Sequence, residues 1–362
     1  IMSIFKKYIS YFRFFIPLLT ALLLLGIFSW FPSAADFYSS VLFPIFSWPI
    51  AQITSSFNFS VAEALMFPVL IILLIVVIRF IVCFFRSDNK KRMLAGWFQK
   101  AAGFLTAVFI IYLLLHGYHY YRTPMAESFG IPVEQKEAQD ILRVSILLAK
   151  EASTERALLN SDENGNMLLT ETLFETFSHA DAGFQEVSSA IHTLPAVRAR
   201  AKPVRLSHYW SYTGVGGMYF PFTVEANINV DMPDWVIPFT VCHELSHTIG
   251  YAKEEEASFL SFLACINNPS ADYRYSGYLS AFLECAAVLQ RYDRGMWEEV
   301  WSYISDDVRA DISQNTKYWK QFEGQVQTVS SAVNDTFLKV NSQAKGVLSY
   351  NMVTELIVGF YS

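Results

Sequence analysis

Charge is scarce in this chain. Only 17% of its 362 residues are charged, against 53% hydrophobic and 16% aromatic, and the net charge is -6. No long lysine-arginine run follows residue 122, which with the acidic balance argues against nucleic acid as a partner. The four cysteines contain no CxxC pair, so a cysteine zinc site and a thioredoxin-like motif are excluded. Cys265 and Cys285 are equally readable as a disulfide and as free thiols on apolar helix faces. Internal repeats and low-complexity tracts are absent.

In place of charge stand long apolar runs. Residues 13–31, 64–85 and 101–118 each reach the length that crosses a bilayer, predicting a three-helix membrane anchor over 1–121 and a domain over 122–362. The first run is too long, and too poorly followed by small residues, for a cleaved signal peptide. Lys6, Lys7 and Arg13 precede the first run and Arg86, Lys90, Lys91, Arg92 and Lys100 fill the second connection, whereas 32–62 has no lysine or arginine. The positive-inside rule then places the amino terminus and second connection in the cytoplasm and everything beyond the third span outside. His116 and His119, among Tyr118, Tyr120 and Tyr121, read as residues of the outer membrane interface rather than as ligands. Residues 36–60 are aromatic and proline-broken, which predicts a membrane-hugging or re-entrant piece beneath the domain. Ser60 and Glu63 have capping-box spacing.

In the domain, helical spacing runs through 134–159, 170–199, 255–267, 276–292, 308–344 and 347–361. The loop SDENGN between the first two begins like a calcium site with Asp162, Asn164 and Asn166. It has Met167 where glycine is required and Leu173 where the closing glutamate belongs, so it is a surface turn. Alternation through Val224, Ala226, Ile228 and Val230 marks the best strand. An extended peptide could pair with this segment, with Glu225 and Asn227 on the opposite face, either gripping substrate or merely solvated. Gly214, Gly216 and Gly217 make no phosphate loop, since no lysine-serine or lysine-threonine follows. The apolar tail from Leu348 is too short to span a membrane and is expected to pack on the domain or the bilayer.

The most specific chemistry is in His243-Glu244-Leu245-Ser246-His247. Imidazoles four residues apart on a helix share one face and can hold a zinc ion, while the glutamate between them faces the water that the metal activates. A catalytic zinc needs a third protein ligand. A continuous helix would carry Glu254 about 10 Å too far, so the helix must stop. Gly250 can supply a left-handed cap that turns the chain into a second helix, with Lys253, Glu254, Glu255 and Glu256 in its first turn. Spacing alone leaves the three glutamates open. Acidic residues at a helix start also complement its dipole.

The run HELSHTIGYAKEEEASF, with PFTVEANINV before it, resembles the bacterial domain-of-unknown-function family 3810, membrane-anchored proteins similar to gluzincin peptidases. The likeness extends through the hydrophobic amino-terminal third. It implies Glu254, three residues before Ala257, as the third ligand; Glu256 stays the alternative on the reading of the residues alone. Ser258 departs from the asparagine usual there, which puts that residue's contact behind the metal in question. The expected fold class is mainly α, a zincin-like α+β domain with a small sheet outside the cytoplasmic membrane. The expected function is hydrolysis of a peptide or protein substrate with zinc as cofactor and Glu244 as general base. The oxyanion donor is open among Tyr209, Tyr212, Tyr219, Tyr273, Tyr275 and Tyr350. A rival from another class is a non-catalytic membrane receptor or assembly factor with a structural zinc, against which an intact Glu244 weighs. An intramembrane protease is disfavoured, because Asp231, Pro233 and Asp234 precede the motif and three glutamates follow it.

Overall fold

Each long apolar run forms the body of a helix, but the helices outrun the apolar residues. A computed structural model describes residues 2–133, 137–191, 194–341 and 350–362, with the side chains of 2–14, 350 and 351 outside the description. Glu134 to Lys136, His192, Thr193 and 342–349, which fall in expected helices, lie outside the described residues, as do the side chains of Lys6, Lys7, Arg13 and Tyr350. Helix α1 covers Met2–Trp30. Pro32, whose missing N–H costs nothing at a helix start, opens α2 (Pro32–Phe37), and a π-turn leads into α3 (Phe43–Ser55). Phe15–Trp30 and Pro32–Ser55 meet at a bend of 118°. Helix α4 (Val61–Arg86) follows, then α5 (Lys90–Leu115), capped by the Asn89 side chain. The third run therefore sits in a helix that starts at Lys90, not 101, because basic residues propagate a helix that hydropathy does not detect. Among the described residues α4 and α5 are long and apolar enough to cross a membrane, and a third span is added if the bent pair counts as one.

The aromatic run after α5 is not an outer belt. Gly117–Tyr121 forms a 3-10 turn in which Tyr118, His119 and Tyr120 are buried. Tyr118 packs edge-on against Phe28 and Tyr38, and His119 Nδ1 lies 2.7 Å from Ser39 Oγ. His116 is also buried. The turn is a junction between anchor and domain, so these histidines are inside the protein, where a five-residue periodicity could not place them.

The domain opens with α6 (Met125–Ser128) and α7 (Ala138–Arg156). A hairpin of β1 (Asn160–Ser161) and β2 (Met167–Leu168) follows. In its turn the Asp162 carboxylate accepts from the backbone of Asn164 and Asn166 at 2.8 Å, the surface turn expected. Thr172 and Glu175 form a capping box at the start of α8 (Leu173–Ala190). Strands β3 (Ala201–Pro203), β4 (Gly217–Phe220) and β5 (Glu225–Ile228), with α9 (Ser207–Ser211) between β3 and β4, precede α10 (Ile237–Thr248), α11 (Glu254–Ile266) and α12 (Ala271–Tyr292). The chain ends with α13 (Arg294–Trp301), α14 (Asp306–Lys320), α15 (Gln325–Val340) and α16 (Tyr350–Phe360). The helical spacing of 308–344 is thus split between α14 and α15, because Phe322 turns in to meet Tyr212, His208 and Tyr318 edge-on. The apolar tail packs inward, burying Val353, Leu356, Ile357 and Val358 in the main core.

Helix α11 is buried all round from Glu255 to Cys265 and lies at the centre. A Cβ on Gly183 of α8 would come 1.9 Å from Ala264 O, and one on Gly277 of α12 would come 2.5 Å from Cys265 Cβ, so glycines let both neighbours close on it. Cys265 interacts with Cys242, and Cys285 is also a free thiol, so the cysteines stay unpaired. Below this layer Asp311 is fully buried. It accepts from Arg156 Nε at 2.6 Å, Tyr275 Oη at 2.5 Å and Met167 N at 2.6 Å, while its carbonyl accepts from Trp235 Nε1 at 3.2 Å.

The three-stranded sheet has the order β3-β5-β4, with β3 parallel and β4 antiparallel to β5. The alternating segment is therefore the central strand, walled in by neighbours, and the edge strands are β3 and β4. Both faces of β5 are buried, since Glu225, Ala226, Asn227 and Ile228 are all inaccessible. Alternation of residue type could not distinguish an edge from a centre. The Glu225 carboxylate accepts from Val61 N at 3.0 Å and Ala62 N at 2.8 Å, satisfying the amino terminus of α4. Asn227 donates to the carbonyls of Met218 and Glu225, each at 3.2 Å. Both side chains are thus buried inside the protein rather than solvated on an open face. Glu63 answers in the other direction. Its backbone N–H caps on Ser60 Oγ, while its carboxylate accepts from Arg205 N and Leu206 N rather than closing a capping box. The α2–α3 segment packs beneath the sheet as expected, with Thr54 Oγ1 donating to Thr223 O at 3.1 Å and Ala51 against Tyr219 and Val224. The buried Lys202 ammonium donates to the carbonyls of Thr54 and Phe57, and Arg198 lies over Trp48, so the alternate basic residues here serve the junction.

Candidate metal centre

Gly250 has φ +88°, its N–H donates to His247 O and the Tyr251 N–H to Ser246 O, which closes α10 with a left-handed cap. A Cβ there would also come 3.0 Å from His119 Nδ1. The reversal starts α11 at Glu254 and brings its carboxylate back over α10. His243 Nε2 lies 3.1 Å from Glu254 Oε2 and 3.2 Å from His247 Nε2, and His247 Nε2 lies 3.8 Å from Glu254 Oε1. These three are the group among the described residues whose donor atoms lie within 4.8 Å of one another. Tetrahedral ligands at zinc bond lengths stand about 3.4 Å apart, so both the donor types and their spacing fit that ion. The far side of each ring is tied down. His247 Nδ1 lies 2.7 Å from Tyr251 O and His243 Nδ1 lies 3.2 Å from Ser258 Oγ, which leaves both Nε2 atoms for a metal. Serine at 258 thus still reaches His243.

Glu254 is therefore the glutamate the fold delivers. Glu256 points away, accepting from Met125 N at 2.9 Å and Lys253 Nζ at 3.1 Å. Burial opposes ionisation of Glu254, but the hydrogen bond from His243 and the positive potential of His247 and His116 outweigh it and hold the carboxyl at about 2. Burial and the nearby Glu254 charge push the Glu244 carboxyl up to about 7, against the opposing pull of His243 and a hydrogen bond from the Tyr219 backbone.

The position of Glu244 depends on β4. Asn229 N–H donates to Gly216 O, and this phase of the ladder aims the N–H groups of Gly217 and Tyr219 away from β5, toward the open edge. The open edge faces α10. A Cβ on Gly217 would lie 2.6 Å from Glu244 Oε1 and 2.8 Å from Thr240 Cγ2, so only glycine allows the strand this close.

Three residues beside the site carried no functional reading in the sequence. The His116 ring is 6.1 Å from that of His247 and 5.5 Å from that of Tyr219, and its Nε2 lies 3.2 Å from Tyr120 Oη. The third, Glu284 on α12, is pushed up to about 7 by burial, with Arg291 and His243 pulling it down. A lone carboxylate inside the apolar run LSAFLECAAVL is a signal that could have found it. Of the tyrosines considered for the oxyanion, Tyr219 lies 6.2 Å from His247, ring to ring, with its hydroxyl donated to Leu115 O. Tyr273 and Tyr275 are spent in the core on Thr176 O and Asp311, and Tyr209 and Tyr212 are exposed.

The fold and site define a mainly helical protein with small sheets, apolar helices of membrane-spanning length, and a His-His-Glu cluster on two helices joined by the turn at Gly250. The chain belongs to the family described as protein of unknown function DUF3810, whose model matches residues 38–358. No curated protein and no solved structure matches it.

Proposed function

We propose that this protein is a membrane-anchored zinc peptidase of gluzincin type. The observation that carries the reading is the convergence of His243, His247 and Glu254 within 4.8 Å, with Glu244 buried beside them. Zinc held by those three side chains would polarise the scissile carbonyl and lower the pKa of water toward 7. Glu244 takes the proton of the attacking water and passes it to the leaving amine. The open edge of β4 offers the Gly217 N–H to an extended peptide, a strand-addition mode that orients the scissile bond beside Glu244. The hydrogen-bonded Tyr120 and His116 pair supplies the donor for the developing oxyanion on the His247 side.

Purified full-length protein is expected to hold about one zinc per chain. His243→Ala and Glu254→Ala should lose most of it and Glu256→Ala should keep it, as read by metal analysis. Zinc retained by Glu254→Ala and lost by Glu256→Ala would sink the ligand assignment.

The reading includes three spans in the cytoplasmic membrane, with residues beyond 122 on the outer side, supported by Lys6, Lys7 and Arg13 in the amino-terminal part of α1, by Arg86 at the end of α4, and by Lys90, Lys91, Arg92 and Lys100 in the amino-terminal part of α5. Asn164→Cys, in the exposed β1–β2 turn, should react with a membrane-impermeant thiol reagent in intact cells. Labelling only after lysis reverses the topology.

A further inference from the structure

Helix α15 carries its amphipathic pattern the wrong way out. Val326, Val329, Val333, Phe337 and Val340 recur at steps of three and four and so form one narrow stripe. That stripe is exposed, with Val329 at 63%, Val333 at 64% and Val340 at 77%. The inward side is held by Leu338, which is buried, and by Gln327, whose Cγ would lie 3.2 Å from a Cβ on Gly214. No soluble helix is stabilised by presenting its apolar face to water.

The carboxyl end of α15 is fastened to a helix of membrane-crossing length. Tyr112, in the last turn of α5, donates its hydroxyl to Asn341 Oδ1 at 2.6 Å, and its ring meets that of Phe337 at 6.2 Å. Phe337 also stacks on His116 at 6.5 Å with the planes 11° apart. Helix α5 rises from the basic connection, so its last turn is where it leaves the hydrocarbon. Helix α3, which also packs against α5, exposes Ile45, Phe46, Trp48 and Ile53. The apolar surface of the anchor therefore continues onto α15. The charges on α15, Asp335 and Lys339, pair with each other at 2.6 Å and give the helix no net attraction to an anionic surface.

We propose that α15 lies along the membrane surface on the domain's side, with its valine stripe seated at the boundary of headgroups and acyl chains. The occupant of the stripe is lipid, and zwitterionic lipid suffices. The inference rests on the helix and the anchor and is independent of chemistry at the metal centre.

The test uses full-length protein carrying Cys83→Ser, the remaining native cysteines being buried. It is labelled with an environment-sensitive fluorophore at Val329→Cys or Val333→Cys on the stripe, or at Thr328→Cys or Ser331→Cys on the polar side, in phosphatidylcholine vesicles. Spin-labelled lipid should quench the stripe positions severalfold more than the polar ones, and aqueous iodide should do the reverse. Equal iodide quenching on both sides places the stripe in water and overturns the proposal. Protection of the stripe from both quenchers places it against protein, a second copy included, and overturns it as well. Val326→Cys, at the far end of the stripe, replaces any position whose variant fails to fold.

Discussion

Glu244→Gln is expected to keep its zinc and its fold while hydrolysis of a peptide substrate falls by about 100-fold or more, the scale of lost general base catalysis. Side-chain volume is unchanged, which matters because Gly217 and Thr240 leave no room for a larger group. An amide oxygen can still accept from the Tyr219 N–H, so β4 keeps its anchor on α10. Metal content and turnover are measured on one preparation, which separates the base from the ligands. Equal rescue of a deletion phenotype by wild type and Glu244→Gln, but not by His243→Ala, makes the zinc structural and the protein a receptor or assembly factor.

Asp311→Ala is expected to cost about 3–5 kcal/mol, because it leaves the buried Arg156 guanidinium without its counter-charge, with only Ser161 Oγ and Gly165 O still accepting from it. Arg156 is 2% exposed and Asp311 0%, so water cannot take over the lost partner. The same carboxylate satisfies Met167 N and Tyr275 Oη, which would be left without an acceptor. Denaturant unfolding of the detergent-solubilised protein, followed by tryptophan fluorescence, measures the loss. Combining Arg156→Met with Asp311→Leu should restore part of it, since an apolar pair leaves no buried charge. A loss below about 1 kcal/mol would mean that the pair is solvated and that this part of the core is looser than its geometry implies.

Local features were legible where one helix or one turn contains all the information. The spacing of His243 and His247 is a property of a single helix, and Gly250 after it can do little but reverse the chain. Family 3810 was recognisable from the same residues and their sequel. The apolar runs located α4 and α5, though not where they begin or end, because basic residues extend a helix without raising hydropathy. The helical spacing of 308–344 hid a break at Phe322, whose inward turn depends on aromatic partners more than a hundred residues earlier in the chain.

Errors arose where a residue's role depends on a distant partner. Glu225 alternates correctly for a substrate-facing strand residue, yet its carboxylate is taken by the amino terminus of α4, 164 residues earlier. His116 has the sequence context of an interfacial residue and stands beside His247 because the 3-10 turn after α5 packs under α10.

By itself the sequence determined the motif, the break after it, the membrane-length helices and the mainly helical class, because backbone geometry converts short-range spacing directly into shared faces. Only the tertiary structure decided which glutamate returns to the histidines, that β5 is the central strand and β4 an edge, and that Ser258 reaches His243. Those outcomes depend on how α10, α11 and the sheet close on one another, and the packing of elements far apart in the chain is not encoded in the spacing within any one of them.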